Sequence, residues 1–354
     1  MNNVKERKAY IEFLKIIAIY MVLFNHTGSR GFTLFTLAQG SVLYPFYLFN
    51  AIFVKIAVPL FLMASGAVLL GKEESFRRII TARFLRFAIV LLVASAIDYC
   101  YVCLLHTPQE MSLSAFFKTL YCSAHADNSY WYLYVYLAYI LMLPILRCLA
   151  KSMSTKEYVW MFFMYGTMQS LSIIDFLIFK GNGSHNGNFS FFITTNYVFY
   201  PLMGYFIDQK LEEKYFSKRN LLYLILASFA AIGICSIMTH YQYTLVGGWN
   251  GLERFFNTFI FIPAVTVFYA AKYWFQQHSL PNRISSLIII LGGTTFGLYL
   301  IQEICKNETA KIHAFLEPYI RTLPACWVWI AVACCLGMTV VYFIKRIPGL
   351  KEFI

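Results

Sequence analysis

The sequence predicts an all-α membrane protein, a polytopic bundle of about ten transmembrane helices with both termini cytoplasmic. Three observations carry that expectation. Hydrophobic residues make up 59% of the 354 positions and charged ones 13%, whereas a soluble globular chain carries roughly 25% charged residues. Mostly apolar runs recur along the whole chain, each near the roughly 20 residues needed to cross about 30 Å of hydrocarbon. The basic residues, finally, are distributed unevenly between the two sides that those runs define.

The runs lie near 9–26, 48–70, 87–105, 131–149, 158–179, 190–207, 221–239, 255–275, 284–302 and 324–344. The first, beginning at Ala9, lacks a small-residue cleavage site and reads as a retained helix rather than a signal peptide. The sixth is the least apolar, because it contains Thr194, Thr195 and Asn196. Roughly two thirds of the 29 Lys and Arg residues fall in segments that the alternation assigns to the cytoplasm, as the positive-inside bias requires. Trp and Tyr within an aromatic content of 19% suit the headgroup level.

The connections near 106–130, 180–190, 240–254 and 303–323 are too short to enclose a core, so residues 1–354 are expected to form a single transmembrane domain. Gly181 to Asn188 reads as a polar turn. A net charge of +12 is a feature of many nucleic-acid binders, but here the basic residues sit in short loops between apolar runs. No nucleic-acid partner is expected; the lipid bilayer is. Cys100 and Cys103 form C-Y-V-C inside an apolar run, and Cys334 and Cys335 are adjacent in another. Such cysteines behave as small hydrophobes, so no metal site is predicted.

Ionisable residues inside spans are expensive, which makes each one a functional candidate. Lys15 and His26 stand eleven positions apart in the first run. At about 100° per residue both project from one helix face, some 16 Å apart along the axis. Lys15 then sits near the cytoplasmic end and His26 at the outer end, joined by a polar track through the bundle. The plainer alternatives are a lysine snorkelling to the headgroups and an interfacial histidine. His26 is the natural general base, since imidazole titrates near physiological pH. Arg83 and Arg86 share a face at i, i+3, and paired guanidinium groups suit phosphate; plain anchoring at the inner surface is the alternative. Glu303 is placed at the level of His26, where it either orients the imidazole as a triad carboxylate does or lies solvated in a loop. Asp98 and Asp175 lie in apolar runs as candidate partners of Lys55 or Lys15.

Taken in order, these segments resemble the bacterial membrane acyltransferase family 3. Its signature of Arg or Lys, ten residues, then His is similar to Lys15 and His26 here. Val58-Pro59-Leu60-Phe61-Leu62-Met63-Ala64-Ser65-Gly66 resembles the family's "VPLFFxxSG" stretch, and Arg83 and Arg86 match its R-x-x-R. Trp131-Tyr132-Leu133-Tyr134 with Leu143-Pro144-Ile145-Leu146 is similar to its "WYL…PIL" helix. Pro201 to Tyr205 resembles its "GYxI" segment, and Phe296 to Ile301 its "FGIYLIH" segment. Two departures stand out: Gln302 and Ser129 occupy positions where relatives often carry histidine.

The resemblance implies an acyl-CoA-dependent O-acyltransferase of the short, membrane-only type, in a bacterial cytoplasmic membrane. It would transfer acetyl from acetyl-CoA to a hydroxyl of an envelope or extracellular polysaccharide, the glycan acceptor being free or lipid-linked. His26 would be catalytic with Lys15 as its motif partner, and Arg83 and Arg86 would assist the donor. Lys15 would polarise the thioester or neutralise donor charge. A transporter or flippase of a glycan precursor is the competing reading; it should show internal repeats and broken helices in corresponding halves, and no convincing repeat is present.

Overall fold

The computed structural model describes residues 8–106, 112–121, 130–186, 195–246 and 252–349. Among these residues every regular element is helical. In chain order the α-helices are α1 (Ala9–Asn25), α2 (Tyr44–Phe53), α3 (Ala57–Leu69), α4 (Leu85–Tyr101), α5 (Leu113–Tyr121), α6 (Trp131–Ser152), α7 (Thr155–Phe179) and α8 (Asn196–Tyr205). They continue with α9 (Lys218–Val246), α10 (Phe261–Gln277), α11 (Asn282–Gly292), α12 (Thr295–Leu300), α13 (Gln302–Glu308), α14 (Ala310–Ile320) and α15 (Thr322–Ile344).

Seven continuous helical stretches are long and apolar enough to cross a membrane: Tyr44–Leu69, Phe76–Leu104, Trp131–Ser152, Thr155–Phe179, Lys218–Leu245, Asn282–Leu300 and Thr322–Ile344. The other three expected spans are helical but short. α1 and α10 have 17 residues each, and α8 has 10 before a π-helical turn, Phe206–Lys210. Residues 190–194 of the sixth expected span lie outside the described residues. Every residue of α8 from Val198 onward is buried, and α1 packs against α3, α10, α11 and α15. A helix surrounded by other helices is apolar on all sides and has little lipid of its own to match in length.

The outer helices behave in the opposite way. Trp160, Phe163, Ile174 and Ile178 on α7, and Leu222, Tyr223, Leu226 and Phe229 on α9, are exposed. An apolar surface of that extent drives association in water and is the normal lipid face of a membrane bundle. The protein is a polytopic membrane protein.

Two departures from the expected layout bear on the site. The run read as one span at 48–70 is a continuous helical stretch that tightens to a 3-10 turn at Val54–Ile56, which carries Lys55. The connection at 303–323 is not an open loop but the helices α13 and α14. Residue Ser129 and the end of the Gly181–Asn188 turn lie outside the described residues.

α3 and α8 make the most extensive helix–helix contact, and two glycines permit it. A Cβ on Gly66 would fall on the Pro201 backbone carbonyl, and one on Gly204 would fall on that of Met63. Backbone therefore meets backbone in both directions, an approach that only small residues allow.

Basic groups gather at the end of the bundle where α1 begins. Lys8 pairs with Asp208 at 2.7 Å, and Lys272 donates to the carbonyls of Ile207 and Asp208 at 2.8 and 2.9 Å. Lys210 donates to the Lys151 carbonyl at 2.9 Å, and Lys151 pairs with Glu73 at the same distance.

Candidate active site

α1 supplies both signature residues. His26 is its C-terminal cap, with its backbone N–H bonded to the Leu23 carbonyl at 3.1 Å. The following turn is pinned by Thr27, whose Oγ1 donates to the Phe24 carbonyl at 2.7 Å and accepts from the Phe32 N–H at 2.9 Å. The His26 side chain lines a cavity of about 540 Å³ together with Asn25, Lys55, Trp131, Tyr132, Asn196, Tyr200, Glu253, Asn257 and Tyr299. This lining is mixed in character, with amides and one ion pair set among aromatic faces.

Lys55 lines the cavity from the 3-10 turn Val54–Ile56. Its ammonium pairs with Glu253 and lies 4.5 Å from the centre of the Phe32 ring, a cation–π arrangement. Lys55 was recognisable as a charge inside a span, though its expected partners were Asp98 or Asp175. Neither takes that place. Asp175 accepts from the His185 backbone N–H at 2.9 Å and sits 2.8 Å from the His185 ring. Asp98 is buried beside a separate apolar cavity between α4, α12 and α15. Nothing in the sequence marked Glu253, Asn196 or Asn257 as neighbours of His26.

Lys15 lines a second cavity, of about 310 Å³, with Lys72, Arg83, Arg86 and Lys345. Five cationic side chains from four separate segments thus converge on one space. Lys15 is 26% exposed and pairs with Glu12 at 2.6 Å, one turn back on α1. Glu12 in turn packs over Gly292 so closely that a Cβ there would meet its side chain. The sequence offered Asp98 and Asp175 as candidate partners of Lys55 or Lys15; for Lys15 the i, i+3 neighbour on its own helix forms the ion pair and needs no tertiary contact.

Arg83 and Arg86 come together as expected, although the helix between them changes type. Ile79–Phe84 forms a π-turn ahead of α4, a local widening common at functional sites. Glu74 organises the basic wall from the preceding connection. It accepts from Arg83 Nε at 2.9 Å and Nη2 at 2.6 Å, and from Arg147 Nη2 at 2.7 Å. Arg147, only 8% exposed, also donates to the Leu69 carbonyl at 3.0 Å. The hydrogen bonds from Arg83, reinforced by Arg147, hold the Glu74 carboxyl down at about 2.

The two cavities share three lining residues: Phe61, Tyr132 and Tyr299. They come from α3, α6 and α12, and each belongs to a different sequence block singled out above. Where the sequence suggested a polar track, these three aromatic side chains form the wall common to the two cavities.

Glu303 stands close to His26 through an intermediary. Its carboxylate holds Lys306 Nζ at 2.6 and 2.7 Å, and the same ammonium donates to the His26 backbone carbonyl at 3.0 Å. Among the described residues no hydrogen bond joins Glu303 to the imidazole itself. Gln302, at a position where relatives often carry histidine, is buried at the start of α13.

No curated protein and no solved structure matches the chain. A family model described as an acyltransferase domain does, over residues 8–346. With almost the whole chain inside that match, the protein belongs to acyltransferase family 3.

Proposed function

We propose that this membrane acyltransferase moves an acetyl group from acetyl-CoA, bound at the cytoplasmic end of the bundle, to a sugar hydroxyl of an envelope or extracellular glycan at the outer end. The observation that carries this reading is the pair of adjoining cavities, one lined by five cations and the other by His26.

Coenzyme A brings phosphate groups, which guanidinium forks recognise well. Arg83 is pre-oriented for that task by Glu74, and Arg86, Lys15, Lys72 and Lys345 add charge around the same space. The clustering of Lys8, Lys151, Lys210 and Lys272 at this end supports a cytoplasmic assignment by the positive-inside bias. Ten membrane passages and cytoplasmic termini follow if α1, α8 and α10 also cross. The membrane is then the cytoplasmic membrane of a bacterium.

The acceptor side fits a sugar, free or lipid-linked. Asn25, Asn196 and Asn257 offer donors and acceptors, while Trp131 and Tyr200 offer flat apolar faces. His26 takes the proton of the acceptor hydroxyl as its oxygen attacks the thioester carbonyl carbon. A C–O bond forms and the C–S bond breaks. The coenzyme A thiolate departs and recovers the proton from the imidazolium, leaving an ester and a free thiol. Lys55 lies where a cation stabilises the oxyanion formed in passing. Lys15, on the donor side of the aromatic wall, serves donor charge rather than the imidazole.

The test is transfer of radiolabelled acetyl from acetyl-CoA to bacterial envelope glycan by purified protein in liposomes. The reading requires ester-linked label, released by mild base, and an equal amount of free coenzyme A thiol. Thiol release with no labelled glycan, or no reaction at all, would contradict it.

A further inference from the structure

Resting on that reading, we infer that the acceptor is a glycolipid, whose hydrocarbon tail lies in the apolar cavity between α4, α12 and α15 while its sugar occupies the cavity of His26. The apolar cavity measures about 440 Å³, and Asp98 is the only charged residue described in its lining. Ile89, Val93 and Ile97 line it at i, i+4 and i+8 along α4, so it follows that helix for about 12 Å. All three are about half exposed, and on an outer helix of a membrane bundle that exposure is to lipid. Soluble ligands are held by several convergent polar groups. An elongated aliphatic space that meets the bilayer along one side suits a hydrocarbon chain instead.

Its position ties that chain to the acceptor. Tyr130 and Leu300 line the apolar cavity, whereas their chain neighbours Trp131 and Tyr299 line the cavity of His26. The Tyr130 hydroxyl donates to the Leu300 carbonyl at 2.6 Å, and its ring lies 6.3 Å from that of Tyr299. The two cavities therefore stand back to back across this junction. α4 runs outward from the donor cations at Arg83 and Arg86, so Ile97 marks the outer end of the apolar cavity and Ile89 the deeper end. A lipid held at the outer surface has this layout, with its sugar at the level of His26 and its tail descending from there. The gain is placement. A tail that leaves the bilayer for an apolar cavity exchanges one apolar surrounding for another, which supplies little driving force. Confining the tail beside α4 instead fixes the height and the side from which the linked sugar meets His26, and such alignment lowers the entropic part of the barrier.

The experiment uses proteoliposomes and two forms of one acceptor: the lipid-linked glycan of a bacterial envelope, and the same glycan after mild acid has removed its tail. Ala94→Phe on α4 and Val341→Phe on α15 fill the cavity from two helices, which guards against loss of one variant. Each preparation is scored as the ratio of kcat/KM on the lipid-linked form to that on the tail-free form, a ratio that does not depend on how much protein is folded. Wild type should favour the lipid-linked form about tenfold or more, and both filled variants should lose most of that preference, since misplacement of about 1 Å can cost 100-fold. Equal use of the two forms by wild type, or an unchanged ratio in both variants, would overturn the inference while leaving acyl transfer intact. A phospholipid that co-purifies with wild type and is lost from variants of unchanged ratio would likewise overturn it, by assigning the cavity to a lipid of the bilayer. Absence of transfer to either form by wild type would remove the proposed function itself.

Discussion

Lys306 fastens the end of α1 to α13, its ammonium donating to the His26 backbone carbonyl at 3.0 Å while the Glu303 carboxylate holds it from the other side at 2.6 Å. The imidazole hangs from the last turn of a helix whose end is fixed by this contact and by Thr27. Replacing Lys306 by Met should free that turn and lower kcat up to about 100-fold, as a displacement of about 1 Å can do. The KM for acyl-CoA, whose proposed site is in the other cavity, should hold. Lys306→Arg, which keeps the donor, should restore most of the rate. A rise in KM with kcat intact would show that Lys306 serves the donor instead.

The contact between Gly66 and Pro201 sets a second expectation. The obstacle to a side chain at Gly66 is backbone, which cannot rotate away, so Gly66→Ala must push α3 from α8. Overpacking of this kind costs about 1–3 kcal/mol and sometimes more. Thermal unfolding in detergent should show a lowered midpoint for Gly66→Ala, and likewise for Gly204→Ala. Alanine at Gly233, where a Cβ meets nothing within 4 Å, should be nearly neutral. Equal midpoints for all three would mean that the helices do not meet at these glycines.

Glu74 gives the fold a defined response to acid. Its carboxyl is 6% exposed, and Arg83 and Arg147 hold it at about 2, below the ordinary 4.5. A carboxyl depressed by folding stabilises the native state fully above its unfolded value, and that contribution is lost as pH falls through the folded value. Wild type should therefore lose stability between about pH 4.5 and pH 2, beyond what other carboxyls contribute. Glu74→Gln should start less stable at pH 7 and show a flatter profile over that range, measured as unfolding midpoint against pH. Parallel profiles would contradict the assignment.

Lys55 and Glu253 flank the imidazole as an ion pair. If the ammonium stabilises the transient oxyanion, Lys55→Met should reduce kcat by about 10²–10³, the effect of removing one such donor elsewhere. Binding of acyl-CoA, followed by competition with free coenzyme A, should not change. A variant with normal turnover would exclude Lys55 from the chemistry.

Much of this was legible in the sequence, for reasons that particular residues make clear. The eleven-residue spacing of Lys15 and His26 placed both on one helix, and R-x-x-R brought Arg83 and Arg86 to one cavity, because local spacing fixes which residues share a face. Apolar length identified the seven long helices. The turn at Val54–Ile56 lay inside a long apolar run, where Pro59, which leaves the Lys55 carbonyl without its helical donor, was the signal that could have found it. Lys55 and Glu253 are 198 residues apart, and Glu303 reaches His26 only through Lys306. Pairings of that kind depend on how helices are arranged around one another, which hydropathy and spacing do not encode. The three wall residues were visible as members of separate sequence blocks, yet only the fold shows that the blocks converge.

The division of labour between the cavities is tested most directly by separating binding from turnover. His26→Ala and the double variant Arg83→Ala/Arg86→Ala would each be assayed for equilibrium binding of acetyl-CoA and for transfer of labelled acetyl to glycan. The account predicts that His26→Ala binds acetyl-CoA as wild type does but transfers acetyl at least about 10²-fold more slowly, whereas the double variant binds acetyl-CoA weakly. Labelled glycan formed at the wild-type rate by His26→Ala would contradict it.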